Sequence, residues 1–152
     1  MRPNPGKAIL GGFVGTVVMT LMMYFVAPMM LGGPMDVAGM LGGVLGGSWM
    51  MGMLMHLLNG IVIFPLIYAY FLFRVLPGDP WAKGTILGLI LWFLSQAVVT
   101  PMMGGGMFSA KAGGLMAVMA SLIAHIIYGA LLGVLAGAAE GSSASPRVQA
   151  AR

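Results

Sequence analysis

Four long apolar stretches dominate this chain and restrict the folds open to it. They lie at about residues 8–28, 48–73, 83–103 and 113–137. Each provides the roughly 20 residues that a helix needs to cross the hydrocarbon core of a bilayer. Hydrophobic residues make up 60% of the chain and charged residues 7%, which is too little charge to cover a water-facing surface. The sequence therefore predicts an all-α, polytopic membrane protein with four transmembrane helices.

The segments outside these spans are short and predict little further structure. Asp36 is a good N-cap for a short apolar turn, so we expect a small interfacial helix at about 37–45. Ser109 is expected to cap the fourth span in the same way. We expect one transmembrane domain over residues 1–137, followed by a small, polar, disordered cytoplasmic tail at 138–152.

The basic residues predict the orientation. One side of the four-span arrangement holds only Lys111, and the other holds Arg2, Lys7, Arg74, Lys83, Arg147 and Arg152. By the positive-inside rule, both termini and the 74–83 loop are expected to be cytoplasmic, in a bacterial inner membrane. The basic residues are scattered rather than gathered in a patch, which argues against a nucleic-acid partner. The expected partners are the lipid bilayer, other membrane subunits or a second copy of the chain.

The two halves of the chain resemble each other. The segment VAPMMLGGPM (26–35) aligns with VTPMMGGGMF (99–108), and at this offset a G-x-x-x-G pair recurs in the first and third spans. MHLLNG (55–60) likewise corresponds to AHIIYG (124–129). Because each half begins on the same side, the sequence predicts two parallel hairpin repeats related by a pseudo-two-fold axis along the membrane normal. Small residues allow close helix approach, so we expect the glycine pairs to bring the first and third spans together.

His56 and His125 are the only histidines, and the repeat places them at matching positions in the second and fourth spans. An ionisable side chain inside a membrane is costly unless it has a partner or a function. Two imidazoles facing each other across a four-helix bundle can take both axial positions of a haem b. The chain has no C-x-x-C-H motif, so covalent haem attachment is excluded. Lys111 is the basic residue best placed to pair with haem propionates.

Five further residues complete the predicted site. Gly60 and Gly129 follow their histidines by one turn and would leave room for a flat ligand, although for the glycines alone tighter helix packing is the favoured explanation. Asn59 and Tyr128 follow by three residues and are expected to orient an imidazole or meet haem substituents. Gln96, in the middle of the third span, needs a partner from another helix.

The methionines favour a different metal. The chain has 17 methionines, and all except Met1 fall within residues 19–55 or 102–119. Thioethers and imidazoles both suit copper, so Cu(I) bound at the outer face by His56, His125, Met53 and Met119 is an alternative. Methionine is also a common filler of irregular apolar space.

No catalytic constellation is visible, so we expect no enzyme activity. The three carboxylates, Asp36, Asp79 and Glu140, are separated along the chain and by membrane side. The chain has no cysteine, which excludes disulfides and thiolate metal sites. A structural or assembly subunit, in which the histidines only make hydrogen bonds, remains the alternative from another functional class.

Several short segments resemble a family of small bacterial four-helix membrane proteins of unassigned function that carry two intramembrane histidines. They are VMT (18–20), PMDVAGMLG (34–42), MHLLNG (55–60), IYA (67–69), Trp92, PMMGGGMF (101–108) and HIIYG (125–129). The resemblance covers most of the chain apart from the tail. It implies the four-span fold, and it implies no activity or catalytic residue.

Overall fold

The protein is a helical bundle in the computed structural model, which describes residues 4–137. Its helices are α1 (Pro5–Leu31), α2 (Val37–Val44), α3 (Trp49–Val75), α4 (Pro80–Met102) and α5 (Gly114–Gly137). All but the short α2 are long and apolar enough to cross a membrane, which confirms the predicted all-α fold with four spans. The predicted tail at 138–152 lies outside the described residues, and the cytoplasmic placement of the termini stays a prediction. After that prediction, we call the end with residues 32–48 and 103–113 outer, and the end with residues 76–79 inner.

Local sequence signals define the ends of α1. The Asn4 side chain caps its first turn and Pro5 occupies the first helical position, where its missing N–H costs nothing. The helix continues beyond the predicted end near Pro28 and finishes at Leu31, where Gly32 adopts a left-handed φ of 73°. A glycine tolerates that conformation without strain, so it ends the helix more effectively than the proline does.

Wider, π-helical turns interrupt three spans at comparable places. They are Met22–Val26 in α1, Asn59–Ile63 in α3 and Ser95–Val99 in α4. Each of these three begins six residues before a proline, namely Pro28, Pro65 or Pro101, whereas a fourth π-helical turn, Tyr68–Leu72 in α3, has no such proline. Proline cannot donate to the carbonyl one turn earlier and its ring clashes there, so the wider turn accommodates it. The turns in α1 and α4 fall on equivalent residues of the two repeats, which supports the duplication.

Asp36 joins three elements at the outer end. Its Oδ1 accepts hydrogen bonds from the Gly39 backbone N–H (3.0 Å), the Tyr24 hydroxyl (2.9 Å) and Trp49 Nε1 (2.9 Å). The predicted N-cap of the short helix is thereby confirmed. The expected cap at Ser109 is wrong, because α5 begins at Gly114 and the Ser109 hydroxyl bonds elsewhere.

Glycines decide which spans pack closely. Gly15 of α1 lies against Tyr128 of α5, and Gly84 of α4 lies so close to Gly129 of α5 that a Cβ on either would meet the other's carbonyl oxygen. The first and third spans therefore both pack on the fourth. The expectation that their glycine pairs meet each other is wrong. Gly11 and Gly15 leave room for Leu132 and Tyr128 of α5, whereas Gly84 lies against the glycines of α5.

The bundle is less symmetric than the repeat. The middle of α3 packs on α1, where Gly60 leaves space for Thr16. Near the inner end α3 also reaches α4, through the Tyr68 hydroxyl, which donates to the Pro80 carbonyl at 3.0 Å. Its outer turns pack on α2 instead, with Gly52 against Ala38. The outer halves of α3 and α4 consequently stand apart and leave a cavity between them.

Candidate functional site

The cavity has a volume of about 610 Å³ and lies in the outer half of the bundle. All four spans contribute to its wall, and α2 and the outer loop before α5 border it. Its walls are mostly apolar with a few polar groups, and its volume is within the roughly 300–1,000 Å³ typical of small-molecule and cofactor sites. The predicted site residues that border it are His56, His125, Asn59, Gly60, Gln96 and Tyr128.

The environment of His56 assigns its tautomer. Nε2 lies 3.0 Å from the Thr20 hydroxyl oxygen, and that hydroxyl donates its only proton to the Thr16 carbonyl at 2.7 Å. The imidazole must therefore donate from Nε2, which leaves the lone pair on Nδ1. Nδ1 has no hydrogen-bond partner among the described residues.

His125 is held in the opposite tautomer. Its Nδ1 lies 2.8 Å from the carbonyl oxygen of Ser121, one turn earlier on α5. A carbonyl can only accept, so Nδ1 carries the proton and Nε2 keeps the lone pair. A backbone bond of this kind fixes ring orientation in the same way as the outer-shell bonds of metal-binding histidines. Within residues 4–137, Nε2 has no partner.

Tyr128 and the two glycines have roles that differ from one another. The Tyr128 hydroxyl donates to the Gly60 carbonyl at 2.7 Å, so it joins α5 to α3 at the base of the cavity. Gly60 borders the cavity as well as packing on Thr16. Gly129 is not part of the wall and is buried at the crossing with Gly84. Helix packing therefore accounts for Gly129, whereas Gly60 both allows close packing on α1 and borders the space for a ligand.

Two polar amides in the wall come from π-helical turns. Gln96 has the partner it was expected to need, since the Ser109 hydroxyl donates to its Oε1 at 2.7 Å. Asn59 borders the cavity and its side chain has no hydrogen-bond partner among the described residues. Single π-helical turns occur frequently at functional sites, because they redirect a few side chains without ending the helix.

Sequence reasoning did not assign several polar residues of the wall to the site, among them Thr16 and Ser109. Thr16 is 1% exposed, and its Oγ1 is a sealed side-chain oxygen without a partner. Its position one turn before Thr20 was the available signal. Ser109 is 3% exposed and reaches Gln96 across an outer loop. No local pattern indicates that contact, because Phe108 and Ser109 adopt left-handed φ values of 49° and 53° that their residue types do not suggest.

The structure places other methionines at the cavity than those chosen from the sequence. Met53 and Met119 do not border it, and Met119 is 41% exposed on the outside of α5. The methionines in the wall are Met19, Met23, Met35, Met40 and Met103. Within residues 4–137, no three histidine, aspartate or glutamate side chains come together as a metal-binding group.

Asp36 is the one wall residue, among those described, with a full charge at neutral pH. Burial disfavours its ionised form, but the hydrogen bonds from Gly39, Tyr24 and Trp49 outweigh that effect and lower the pKa of the carboxyl below its ordinary value. Lys111, the expected partner of propionates, does not border the cavity.

A family model of proteins of unknown function, DUF6789, matches residues 3–146. The chain belongs to the DUF6789 family. Among curated proteins and solved structures there is no significant match. Membership of DUF6789 agrees with the expectation of a family of unassigned function, and it supplies no activity for this DUF6789 chain.

Proposed function

We propose that this multi-pass membrane protein binds haem b in the cavity between its spans, through His125 and His56. One observation carries the proposal. Two imidazole nitrogens with unused lone pairs, Nε2 of His125 and Nδ1 of His56, belong to residues that border the same cavity. Neutral imidazoles with lone pairs directed at a common space are suited to a Lewis acid such as an iron porphyrin.

The size of the cavity favours an organic ligand over a bare ion. Its volume of about 610 Å³ far exceeds the roughly 30 Å³ that one water occupies in the liquid. Apolar side chains such as Leu91, Leu94 and Phe64 supply much of its wall. A porphyrin buries a large flat apolar surface and needs one or two strong ligands, which matches this combination.

The two histidines have different parts in this proposal. His125 is ready for axial ligation because its Nδ1 proton is held by the Ser121 carbonyl. Nε2 of His56 donates to Thr20, so His56 binds iron through Nδ1 or after exchanging that hydrogen bond. We therefore assign His125 as the principal ligand and His56 as the weaker one. The haem would serve electron transfer, redox sensing or an accessory role in a larger membrane complex.

Copper is a second candidate, favoured by the wall methionines. Five thioethers and two imidazoles border the cavity, and both ligand types bind Cu(I). The metal ligands would then be His56 and His125 with methionines such as Met19 and Met23, rather than Met53 and Met119. A structural or assembly subunit without cofactor is the third, supported by the hydrogen bonds that already orient both rings.

An absorption spectrum of the detergent-purified protein, before and after titration with haemin, separates these proposals. We expect a Soret band in the wild-type protein. His125→Ala should abolish it, and His56→Ala should shift it because the haem iron changes its spin state. Trp92→Phe is the matched control, since it removes one interhelical hydrogen bond, to the Val118 carbonyl, away from the cavity. Full pigment in both alanine variants overturns the ligand assignment. Colourless protein with stoichiometric copper favours the second candidate, and colourless, metal-free protein in a larger complex favours the third.

A further inference from the structure

Gln96 is a buried amide with one end in use and the other unpaired. Its side chain is 2% exposed, and its Oε1 accepts the hydrogen bond from Ser109. Its Nε2 carries two N–H donors and has no acceptor among the described residues. Within residues 4–137, Thr16 Oγ1 is the only side-chain nitrogen or oxygen that is fully buried and has no hydrogen-bond partner. The Gln96 nitrogen is therefore not sealed, and it opens onto the cavity that Gln96 borders.

Ser109 holds one end of that amide. It is 3% exposed and its hydroxyl donates to Oε1 at 2.7 Å, so in this arrangement Nε2 is the end that is left without a protein partner. A buried donor that is oriented in this way and left without an acceptor is costly, because it gives up its hydrogen bonds to water. The Thr16 hydroxyl is also unpaired and 1% exposed, but its oxygen is sealed and does not open onto the cavity.

The amide of Asn59 lies in the wall contributed by α3, whereas Gln96 belongs to α4. Neither the side chain of Asn59 nor the side-chain nitrogen of Gln96 has a protein partner within the described residues. The two helices that stand apart at their outer halves thus each bring an amide with unused N–H groups to the cavity. An oxygen atom supplied by a ligand would satisfy such donors, whereas an apolar group would leave them unpaired.

We propose that Gln96 Nε2 donates a hydrogen bond to an oxygen substituent of the ligand, a carboxylate or a ring carbonyl. This inference rests on the proposed function, because it describes a second contact made by the molecule that the imidazoles bind. For haem b the acceptor is a propionate. Ser109 is a positioning residue for this contact, since it acts only by holding the amide.

Two iron porphyrins separate the inference from the proposed function. Haemin carries propionates, whereas iron octaethylporphyrin has the same ring and metal without any oxygen substituent. We expect Gln96→Leu to raise the Kd for haemin about 5–10-fold, which is the effect of one lost hydrogen bond, and to leave the Kd for iron octaethylporphyrin unchanged. Ser109→Ala should weaken haemin binding by a smaller factor, because the amide is kept but no longer held.

Ser95→Ala is the matched control. Ser95 adjoins Gln96 on the same π-helical turn and borders the same cavity, but its hydroxyl already donates to the Trp92 carbonyl at 2.8 Å. Circular dichroism and size-exclusion chromatography establish that each variant is folded. Equal effects of Gln96→Leu on the two porphyrins, or no effect on either, overturn the inference while the axial ligation stands.

If neither porphyrin binds to the wild-type protein, the proposed function fails and a metal-free probe decides the inference. A benzoquinone with a decyl tail carries ring carbonyls and enters bilayers. Binding of this quinone that weakens in Gln96→Leu supports the oxygen contact independently of iron. The inference is overturned if Gln96→Leu leaves the affinity for the quinone unchanged, or if no oxygen-bearing probe binds.

Discussion

The hydroxyl of Tyr128 donates a 2.7 Å hydrogen bond to the backbone carbonyl of Gly60, so each repeat supplies one partner of a contact at the base of the cavity. Tyr128 follows His125 by three residues and Gly60 follows His56 by four. The bond therefore couples the positions of the two histidine-bearing helices. Tyr128 is 2% exposed, which shields the bond from water.

Tyr128→Phe should lower the free energy of unfolding by about 1 kcal/mol, because it removes this bond and keeps the ring. Reversible unfolding in mixed detergent micelles measures the difference. Tyr70→Phe is the control, since the Tyr70 ring is 58% exposed on the outside of the bundle and its hydroxyl has no described partner. Equal losses in the two variants would show that the bond to Gly60 contributes nothing specific.

Gly84→Ala should destabilise the bundle by about 1–3 kcal/mol through overpacking. A Cβ at Gly84 would meet the carbonyl oxygen of Gly129, so α4 and α5 would have to separate. The same unfolding assay applies. Gly43→Ala is the matched control, because no atom lies within 4 Å of its added Cβ and it stands within the helical segment α2. Alanine there should be neutral or slightly stabilising, and a loss at Gly43 as large as that at Gly84 would contradict the packing explanation.

Asp36 should make the outer end of the bundle sensitive to acid. The pKa of its carboxyl is lower in the folded protein than its ordinary value, which is about 3.9. Its stabilising contribution is therefore fully present above about pH 4, and it is lost as the pH falls through the lower folded value. Since Trp49 Nε1 donates to Asp36, tryptophan fluorescence should be constant between about pH 7 and 5 and change only at lower pH.

The Asp36→Asn variant should lack this acid transition, whereas Asp79→Asn, in the inner loop, should keep it. A wild-type transition that begins near neutral pH, or one that persists in Asp36→Asn, would assign the effect to another group.

The orientation predicted from the basic residues is open to a direct test, since the chain contains no cysteine that would need removal. In intact bacterial cells that produce the protein, Ala110→Cys at the outer end should react with a membrane-impermeant maleimide. Pro77→Cys at the inner end should react only after the membrane is broken. Both residues are exposed, so accessibility within the protein does not limit either reaction. The reverse pattern would invert the predicted topology.

Much of the fold was predictable because hydropathy and capping are local properties. The four spans and the short helix after Asp36 were expected from the sequence, and the structure has both. The packing of the glycine pairs was not predicted correctly. A G-x-x-x-G pattern states that a surface is small, but it does not state which neighbour will occupy it, and both pairs pack on α5.

Part of the candidate site was predictable as well, because some of its residues stand out in the local sequence pattern. The repeat indicated His56 and His125, and Gln96 was noticed because a lone amide in a span needs a partner. Its partner, Ser109, comes from an outer loop with a backbone conformation that no local pattern predicts. The wall methionines were also missed, since which face of an apolar helix points inward cannot be read where every face is apolar.

The sequence alone determined that this chain forms four apolar helices in two related halves, because helix length and hydropathy depend only on neighbouring residues. Tertiary structure decided that α3 leaves α4 at its outer half, that each imidazole keeps one unused lone pair, and that an oriented amide opens onto the cavity between them. Those features depend on the points at which helices that are distant in the sequence cross each other. These crossing points are determined by a few glycines, which allow close approach only to particular stretches of backbone.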